Sequence, residues 1–317
     1  MSFPVFDLHC DTALELLGKD LRSPRSLKKN DLHIDLERAK KLPGYVQCFA
    51  CFTTPGMDKW FGVSAENVFQ LELDIILAEL ERNKRTMSQI YSVADIHANM
   101  EKGKMSAILS IEGPAGFGFD PELLTYLHAV GFRLTTLGWN EDNVLCGSHK
   151  TGGGLTSLGR EYVKEAQRLG MVVDVSHCSD KAFWDMMEIT QKPLIASHSN
   201  SRAVCDVSRN LTDEMFKAIC QVGGVAGINQ YAEFLGDKPD LDTVCRHIEH
   251  FLEMDPTGEH IALGGDLDGC ERLAEGFEGI QSYPGLAQRL LDRGASLQIV
   301  ENIYWNNAIG VMEKCFM

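Results

Sequence analysis

MVVDVSHCSDKAFWDMMEITQKPLIASHSN, residues 171–200, contains two apolar runs on either side of an amphipathic stretch. The runs Met171–Val175 and Pro193–Ser197 are almost continuously apolar, which is typical of parallel strands that are buried on both faces. The stretch Ser179–Ile189 between them predicts a helix with Ser179 as its N-cap. Because parallel strands need a crossover between them, usually a helix, this segment predicts one β-α-β unit.

The same alternation of strand and helix recurs along the whole chain. Six more strand candidates are Phe3–Leu8, Tyr45–Phe52, Ser106–Ile111, Phe132–Leu137, Gly223–Ile228 and His260–Gly264. Further helices are predicted at Ser64–Arg85, Thr156–Leu169, Thr212–Val222, Asp240–Met254 and Tyr283–Arg293. Eight strands with interleaved helices in 317 residues predict an α/β protein, a single (β/α)8 TIM barrel over residues 1–317. An open doubly wound sheet is the alternative, because periodicity alone does not separate the two folds.

The chain is acidic, with 45 Asp and Glu residues against 30 Lys and Arg residues and a formal net charge of -15. Such a surface repels phosphate backbones, so we expect no nucleic-acid partner. No stretch is long and apolar enough to span a membrane, and the N-terminus lacks the basic and apolar regions of a secretion signal. The ten cysteines are scattered, which favours reduced thiols. These observations predict a cytoplasmic protein without a membrane partner.

Ionisable residues follow five of the eight predicted strands, at the end where a barrel of this kind places its active site. They are His9 and Asp11 after the first strand, Glu112 after the third, His177 after the fifth, His198 after the sixth and Asp266 after the eighth. Each has an ordinary structural explanation when taken alone, such as a hydrogen-bonded strand end or a turn rich in Asp and Gly. Two histidines at equivalent ends of consecutive strands, however, indicate metal ligation.

Histidine and carboxylate ligands at one end of a barrel fit zinc, although manganese or iron also accepts them. We expect two Zn²⁺ ions per chain. His9, Asp11 and Glu112 would hold one ion. Glu112, His177 and His198 would hold the other, so that Glu112 bridges the two.

Several motifs, in this order along the chain, resemble the membrane (renal) dipeptidase family, peptidase family M19. They are Asp7-Leu8-His9-Cys10-Asp11-Thr12, Ser110-Ile111-Glu112-Gly113, Asp174-Val175-Ser176-His177, Ser197-His198-Ser199-Asn200 and Gly264-Gly265-Asp266-Leu267-Asp268-Gly269. The similarity extends from the first strand to Trp305-Asn306-Asn307. It implies a barrel of the metal-dependent hydrolase type, two zinc ions, hydrolysis of dipeptides, including those with a C-terminal D-residue, and a homodimer. Mammalian members are secreted and lipid-anchored, whereas this chain looks more like the soluble bacterial members.

The resemblance also implies roles for individual residues. Attack by a metal-bridging hydroxide would cleave the peptide bond, with Asp266 taking the proton and passing it to the leaving amine. Arg209, in Arg209-Asn210-Leu211, resembles the family's substrate-binding arginine and would bind the terminal carboxylate of the dipeptide, with Tyr231 as a further contact. A surface position is the alternative for Arg209.

The loop after the fourth strand departs from the family pattern. Mammalian members carry a histidine there that helps to bind the substrate near its scissile carbonyl, and Trp139 stands at that position in this chain. Tryptophan has a single donor, its indole N–H, and cannot become a cation. Oxyanion stabilisation would then rest on the metals, on Asn140 or His149, or on the indole, and the alternative is that Trp139 only lines the pocket wall.

Two other functions stay open from the sequence. Related barrels hydrolyse other amides and lactones, because a fold does not determine its substrate. A non-catalytic metal- or peptide-binding protein on the same scaffold should lack a ligand or Asp266, and none of these residues is missing.

Overall fold

The computed structural model describes residues 2–316, in which nine strands form one parallel sheet. The strands are β1 (Val5–Cys10), β2 (Tyr45–Phe52), β3 (Met87–Gln89), β4 (Met105–Glu112), β5 (Phe132–Thr136), β6 (Val172–Asp174), β7 (Leu194–Ile195), β8 (Ala226–Ile228) and β9 (Ile261–Leu263). Eight of them are neighbours in the order β7-β6-β5-β4-β2-β1-β9-β8, and β3 pairs with the first half of β4 outside this path. A parallel bridge between Ala196 and Ala226 joins the ends of β7 and β8. The barrel prediction is therefore confirmed, and the open doubly wound sheet is wrong.

Helices pack around the barrel and across its lower end. They are α1 (Thr12–Leu17), α2 (Leu36–Ala39), α3 (Met57–Phe61), α4 (Ala65–Arg82), α5 (Val93–Glu101), α6 (Leu124–Val130), α7 (Ser157–Arg168), α8 (Asp180–Met187), α9 (Asp213–Gln221), α10 (Ala232–Leu235), α11 (Leu241–Met254), α12 (Tyr283–Asp292), α13 (Leu297–Glu301) and α14 (Asn307–Cys315). All six helices predicted from periodicity are present, and the side chain of Ser179 caps α8 by accepting from the Ala182 N–H at 2.9 Å. Among the helices of the described residues, none is both long enough and apolar enough to cross a membrane.

The barrel interior is filled by side chains and closed at the bottom by α14. Residues of the barrel strands, such as Phe6, Val46 and Ile108, form one buried cluster with Val311 and Met312 of α14. Side chains on the opposite faces of the strands pack against the surrounding helices in a second, larger cluster. Because both faces are covered, the strands are apolar throughout, which explains the continuous runs in the sequence.

Glycines allow three strand ends to approach closely at the top of the barrel. A Cβ atom on Gly227 or Gly264 would lie 1.9 Å or 1.6 Å from the carbonyl oxygen of Ser197. No side chain fits there, so these two positions need glycine. The close approach brings the residues that follow β7 and β9, His198 and Asp266, to the same end of the barrel.

Candidate metal centre

Five of the predicted site residues converge at the top of the barrel, at the C-terminal ends of β1, β4, β6 and β7. The Nε2 atom of His9 lies 3.4 Å from Asp11 Oδ2 and 3.3 Å from Glu112 Oε2. On the other side of the carboxylate, Glu112 Oε1 lies 3.0 Å from His177 Nε2 and 3.9 Å from His198 Nε2. All five side chains are buried.

The two carboxylate oxygens of Glu112 face different histidines, since one oxygen faces His9 and the other faces His177 and His198. In each of two groups of residues, the possible ligand atoms lie within 4.8 Å of one another. One group is His9, Glu112 and His198, and the other is His9, Asp11 and Asp266. Asp266 is therefore within reach of the cluster. Its Oδ1 lies 3.9 Å from His9 Nε2.

The Nε2 atoms of the histidines in the cluster are not placed as ordinary hydrogen bonding would require. His9 Nε2 is buried and has no hydrogen-bond partner within residues 2–316, and the Nε2 atoms of His177 and His198 face each other at 2.9 Å. Imidazole lone pairs that converge on one region repel each other unless a proton or a cation lies between them. These residues therefore fit a bound metal ion.

Burial controls the charges of these groups. Burial raises the pKa of Glu112 to about 8, and the positive charge of His9 opposes this rise. Burial, and then the nearby charge of Arg209, lowers the pKa of His177 well below its ordinary value. Burial has the same effect on the pKa of His198. Neutral imidazole is the form that binds metals, while the buried carboxylates need a compensating positive charge.

Neighbouring polar groups set the orientation of the two histidine rings. Ser197 donates its hydroxyl hydrogen to the buried carboxylate of Asp174, so its oxygen accepts from His198 Nδ1–H at 2.7 Å. Asn140 Oδ1 accepts from His177 Nδ1–H at 2.9 Å. In both rings the hydrogen is therefore on Nδ1, which leaves the Nε2 lone pair directed at the site.

The backbone at the site adopts conformations that L-residues rarely occupy. His177, Asp266 and Asp268 have φ angles of 68°, 55° and 67°, in the left-handed region. Gly269 is constrained by space instead, since a Cβ atom there would lie 2.0 Å from Asp11 Oδ2 and 2.7 Å from Asp266 Oδ1.

A cavity of about 200 Å³ opens above the cluster. Asp11, Glu112, His177 and Asp266 line it together with aromatic side chains, which are Phe52, Trp139, Tyr231 and Phe234. The Trp139 ring packs against Phe52 at 5.2 Å and Trp60 at 5.4 Å, and its centroid lies 6.2 Å from that of His177. These contacts make Trp139 part of the cavity wall.

Arg209 is buried beside the histidines, with only 4% of its surface exposed, so the surface position considered for it is wrong. One terminal nitrogen donates to Ser199 Oγ at 3.2 Å, and the other donates to the His198 carbonyl at 3.3 Å and lies 3.2 Å from His177 Nε2. Its Nε has no partner among the described residues. The guanidinium lies over the Phe234 ring at 5.2 Å. A buried cation with a free donor is suited to bind an anionic group.

Tyr231 lies at the same cavity but has a partner of its own. Its hydroxyl donates to Glu271 Oε2 at 3.0 Å, and burial raises the pKa of the phenol to about 12. Its ring contacts Phe234 at 4.8 Å between centroids, and Phe234 is also the ring beneath Arg209. The two residues expected at the substrate carboxylate thus share one aromatic neighbour.

Asn229, which the sequence reasoning overlooked, holds Asp266 in place. Its side-chain amide donates to Asp266 Oδ2 at 2.9 Å and to the His198 carbonyl at 3.2 Å. Burial raises the pKa of Asp266, and the attraction of His9 opposes the rise. Asn229 directly follows the predicted strand Gly223–Ile228, so the strand-end rule that found the ligands would have found this residue too.

Comparisons with known proteins agree on one family. The sequence profile of the family described as membrane dipeptidase (peptidase family M19) matches residues 1–315. An uncharacterized protein in the pqqA 5' region of Klebsiella pneumoniae is 35% identical over 239 residues, which are 70% of this chain and 87% of that protein. An uncharacterized dipeptidase of Schizosaccharomyces pombe is 30% identical over 247 residues, or 76% of this chain, and the match spans 60% of that longer protein.

Solved structures give the same result. A metallopeptidase from Rhodobacter sphaeroides, crystallised with a phosphinate mimic of the dipeptide L-Ala-D-Ala, superposes with a TM-score of 0.87 at 25% identity and covers 99% of this chain and 100% of that one. A second M19 structure, of a dipeptidase, has a TM-score of 0.87 at 26% identity and covers 100% of this chain and 99% of that one. The profile match and these similarities, over nearly the whole chain, mean that this protein belongs to the membrane dipeptidase family, peptidase family M19.

Proposed function

We propose that this protein is a zinc-dependent dipeptidase that hydrolyses the peptide bond of dipeptides, including those with a C-terminal D-residue. The observation that carries the proposal is the combination of a buried ligand cluster bridged by Glu112 with the buried cation of Arg209 beside it. The dipeptide mimic bound to the Rhodobacter sphaeroides relative supports the choice of substrate.

Five residues of the chain would supply two ligand sets. His9, Asp11 and Glu112 would hold one zinc ion. Glu112, His177 and His198 would hold the other. When bound, the zinc ions supply a water nucleophile of lowered pKa and polarise the carbonyl group of the substrate.

Asp266 would act as the general base and then as the general acid. Asn229 fixes one carboxylate oxygen, so the other is directed towards the ligand cluster. Burial raises the pKa of Asp266, which makes the carboxylate a better proton acceptor. It would accept the proton of the attacking water and deliver it to the leaving amine.

Arg209 would select for a free carboxylate close to the scissile bond. Its guanidinium lies 3.2 Å from Nε2 of the proposed metal ligand His177. A substrate carboxylate bound to Arg209 would therefore belong to the residue next to the reacting carbonyl. The buried charge costs free energy until an anion compensates it, which favours substrates that carry the carboxylate. Longer peptides would place their terminal carboxylate too far away. Tyr231 would contribute a further contact to it.

Activity on dipeptides is the direct test. The purified protein would be loaded with zinc and assayed for amino-acid release from L-Ala-L-Ala, L-Ala-D-Ala, a tripeptide and a lactone. We expect hydrolysis of the dipeptides alone, loss of activity on chelation and recovery with zinc. A chelator-insensitive enzyme, or one that prefers the lactone, would reject the proposal.

Arg209→Ala tests the carboxylate contact. We expect kcat/KM for dipeptides to fall by about 100-fold or more, since a charge-assisted bidentate contact is lost. Arg272→Ala is the matched control, because that arginine is 60% exposed, pairs with Glu233 and should not affect turnover.

A homodimer and a cytoplasmic location stay predictions, and light scattering of the purified protein tests the first.

A further inference from the structure

Two buried aspartates, Asp7 and Asp174, have no role in the mechanism described above. Asp7 is the third residue of β1, and Asp174 is the last residue of β6. Only 0% and 2% of their surfaces are exposed. A buried carboxylate is costly unless several donors satisfy it. The donors around these two side chains therefore indicate what the side chains do.

Asp7 joins the ends of β1 and β9. Its Oδ1 atom accepts from the backbone N–H of His9 at 3.0 Å and from the backbone N–H of Gly265 at 2.9 Å. The hydroxyl of Tyr283 donates to the other carboxylate oxygen. β1 pairs with β9 at Asp7 and Leu263, so Gly265 lies two residues beyond the paired residue. One oxygen atom thus holds both strands together just past their regular pairing.

Asp174 makes the same set of contacts between β6 and β7. Its Oδ1 atom accepts from the backbone N–H of Ser176 at 2.9 Å and from the backbone N–H of Ser197 at 2.8 Å. The hydroxyl of Ser197 donates to the other carboxylate oxygen. Asp174 pairs with Ile195, so Ser197 again lies two residues beyond the paired residue. The recurrence of one geometry at two separate strand pairs indicates a common role.

The four backbone N–H groups that these carboxylates bind are all at the metal centre. One belongs to His9, a proposed ligand. The others belong to residues that directly precede functional side chains: Gly265 before Asp266, Ser176 before His177 and Ser197 before His198. Two side chains beneath the site therefore fix the backbone that carries most of it.

The backbone just beyond two of these contacts is in a conformation that needs support. His177 and Asp266 have φ angles of 68° and 55°, in the left-handed region. L-residues stay there only where the surrounding contacts determine their conformation. The N–H group bound by Asp174 or Asp7 lies one residue before each of them. Without these hydrogen bonds the chain would relax and turn the two functional side chains away from the site.

We propose that Asp7 and Asp174 are positioning residues, each of which holds the backbone of one of the two proposed zinc-ligand sets. Asp7 serves the set that contains His9, and Asp174 serves the set that contains His177 and His198. The inference rests on the zinc ligation in the proposed function, but not on the identity of the substrate. Metal–ligand distances tolerate only about 0.2 Å, so a small movement of a strand end is enough to weaken a bound ion.

Substitutions separate the contacts with the backbone from the charge of the side chain. Asp7→Ala and Asp174→Ala each remove the acceptor at one strand pair. Asp7→Asn keeps an oxygen acceptor for the two N–H groups and can donate to the hydroxyl oxygen of Tyr283, but it carries no charge. Asp255→Ala is the matched control. Asp255 is also buried and accepts from the backbone N–H of His260 at 2.8 Å, but it does so before β9, at the end of the barrel opposite the site.

Zinc affinity would be measured by competition with a coloured chelator, and the metal-free proteins would be compared by thermal unfolding. We expect Asp7→Ala and Asp174→Ala each to weaken one of the two zinc ions by about 10- to 100-fold and to leave the other close to the parent. With cobalt in place of zinc, the visible absorption spectrum of both variants should change, because it reports the geometry of the ligands. Asp7→Asn should bind zinc within a few-fold of the parent. Asp255→Ala should lose stability and bind both ions as the parent does.

Three results would overturn the inference. The first is equal zinc affinity in the parent and both alanine variants. The second is an Asp7→Asn variant as weak as Asp7→Ala, which would show that charge, and not contact with the backbone, supports the ion. The third is a failure of both alanine variants to fold, which would mean that the aspartates hold the barrel itself together.

The parent protein separates these failures from a failure of the proposed function. A parent that binds no zinc would reject the ligand assignment and this inference with it. A parent that binds zinc and does not cleave dipeptides would reject the dipeptidase function alone, because the zinc affinities of the variants would still test the role of the two aspartates.

Discussion

Replacing Gly269 with alanine adds one methyl group at the edge of the metal centre. The new Cβ atom would lie 2.0 Å from Asp11 Oδ2 and 2.7 Å from Asp266 Oδ1. Ordinary contact begins near 3.4 Å, so the Asp11 carboxylate would have to retreat by about 1.4 Å or the loop would have to move by a similar distance. The glycine itself is exposed, so the barrel should fold as before.

The expected loss follows from that displacement. Metal–ligand distances tolerate only about 0.2 Å, and a shift of about 1 Å in a catalytic group costs about 100-fold in rate. We therefore expect Gly269→Ala to lose at least about 100-fold in kcat/KM for a dipeptide and to lose zinc during dialysis. The thermal midpoint of the metal-free protein should stay close to that of the metal-free parent.

Dipeptide hydrolysis, zinc content by elemental analysis and thermal unfolding of the metal-free proteins would be measured in parallel. Gly285→Ala is the matched control, because Gly285 lies in α12 and a Cβ atom there would contact nothing within 4 Å. That variant should keep full activity and gain up to about 1 kcal/mol of stability, since alanine favours the helix. Full zinc content and normal turnover in Gly269→Ala would refute the argument that a Cβ atom at position 269 displaces the functional carboxylates of Asp11 and Asp266.

Three further predictions follow from single side chains. Asp266→Asn should keep zinc and lose most turnover, because the amide cannot accept the proton; loss of zinc together with activity would make Asp266 a ligand instead. Trp139→Phe should leave kcat nearly unchanged, since the indole packs as cavity wall, and a drop of about 100-fold would show that its N–H is a required donor. Burial raises the pKa of Glu72 well above its ordinary value of 4.5, so the folded chain keeps a proton there that the unfolded chain releases. That contribution to stability is fully present below about pH 4.5 and is lost as the pH rises towards the raised pKa of the folded chain, by up to about 1.4 kcal/mol per pH unit, so Glu72→Gln should flatten the decline in unfolding free energy above about pH 4.5. Glu79→Gln on the same helix is its control and should only destabilise, because Glu79 is paired with Arg82 at 2.6 Å, and an unchanged slope in Glu72→Gln would contradict the reasoning.

The hydrophobic periodicity of the sequence predicted the long strands and helices well and the short ones poorly. Every predicted strand overlaps a barrel strand, although the strand at Pro193–Ser197 shrinks to Leu194–Ile195 in regular pairing. The short strand β3 and helices such as α1, α5 and α6 were not predicted, because few residues in them repeat at a recognisable spacing. The alternation of strands and helices in the sequence did not predict closure of the barrel either, since closure depends on the bridge between Ala196 and Ala226.

The candidate ligands were predictable for a specific reason. Residues that follow parallel strands meet at one edge whatever the details of packing, so His9, Glu112, His177 and His198 could be grouped before their distances were known. The same rule did not reveal the burial of Arg209, which lies in a loop eleven residues beyond His198. Loop positions carry no periodicity from which burial can be inferred.

The sequence by itself determined which chemical groups stand at the strand ends, and the motifs around them identified the family. Only the tertiary structure decided which atoms of those groups meet: one oxygen of Glu112 for His9 and the other for His177, and the oxygen of Asn140 for two imidazole rings. The physical reason is that hydrogen bonds and metal coordination depend on distances of a few tenths of an ångström between residues far apart in the chain. Barrel closure and the packing of loops set those distances, and a linear pattern of residue types does not contain them.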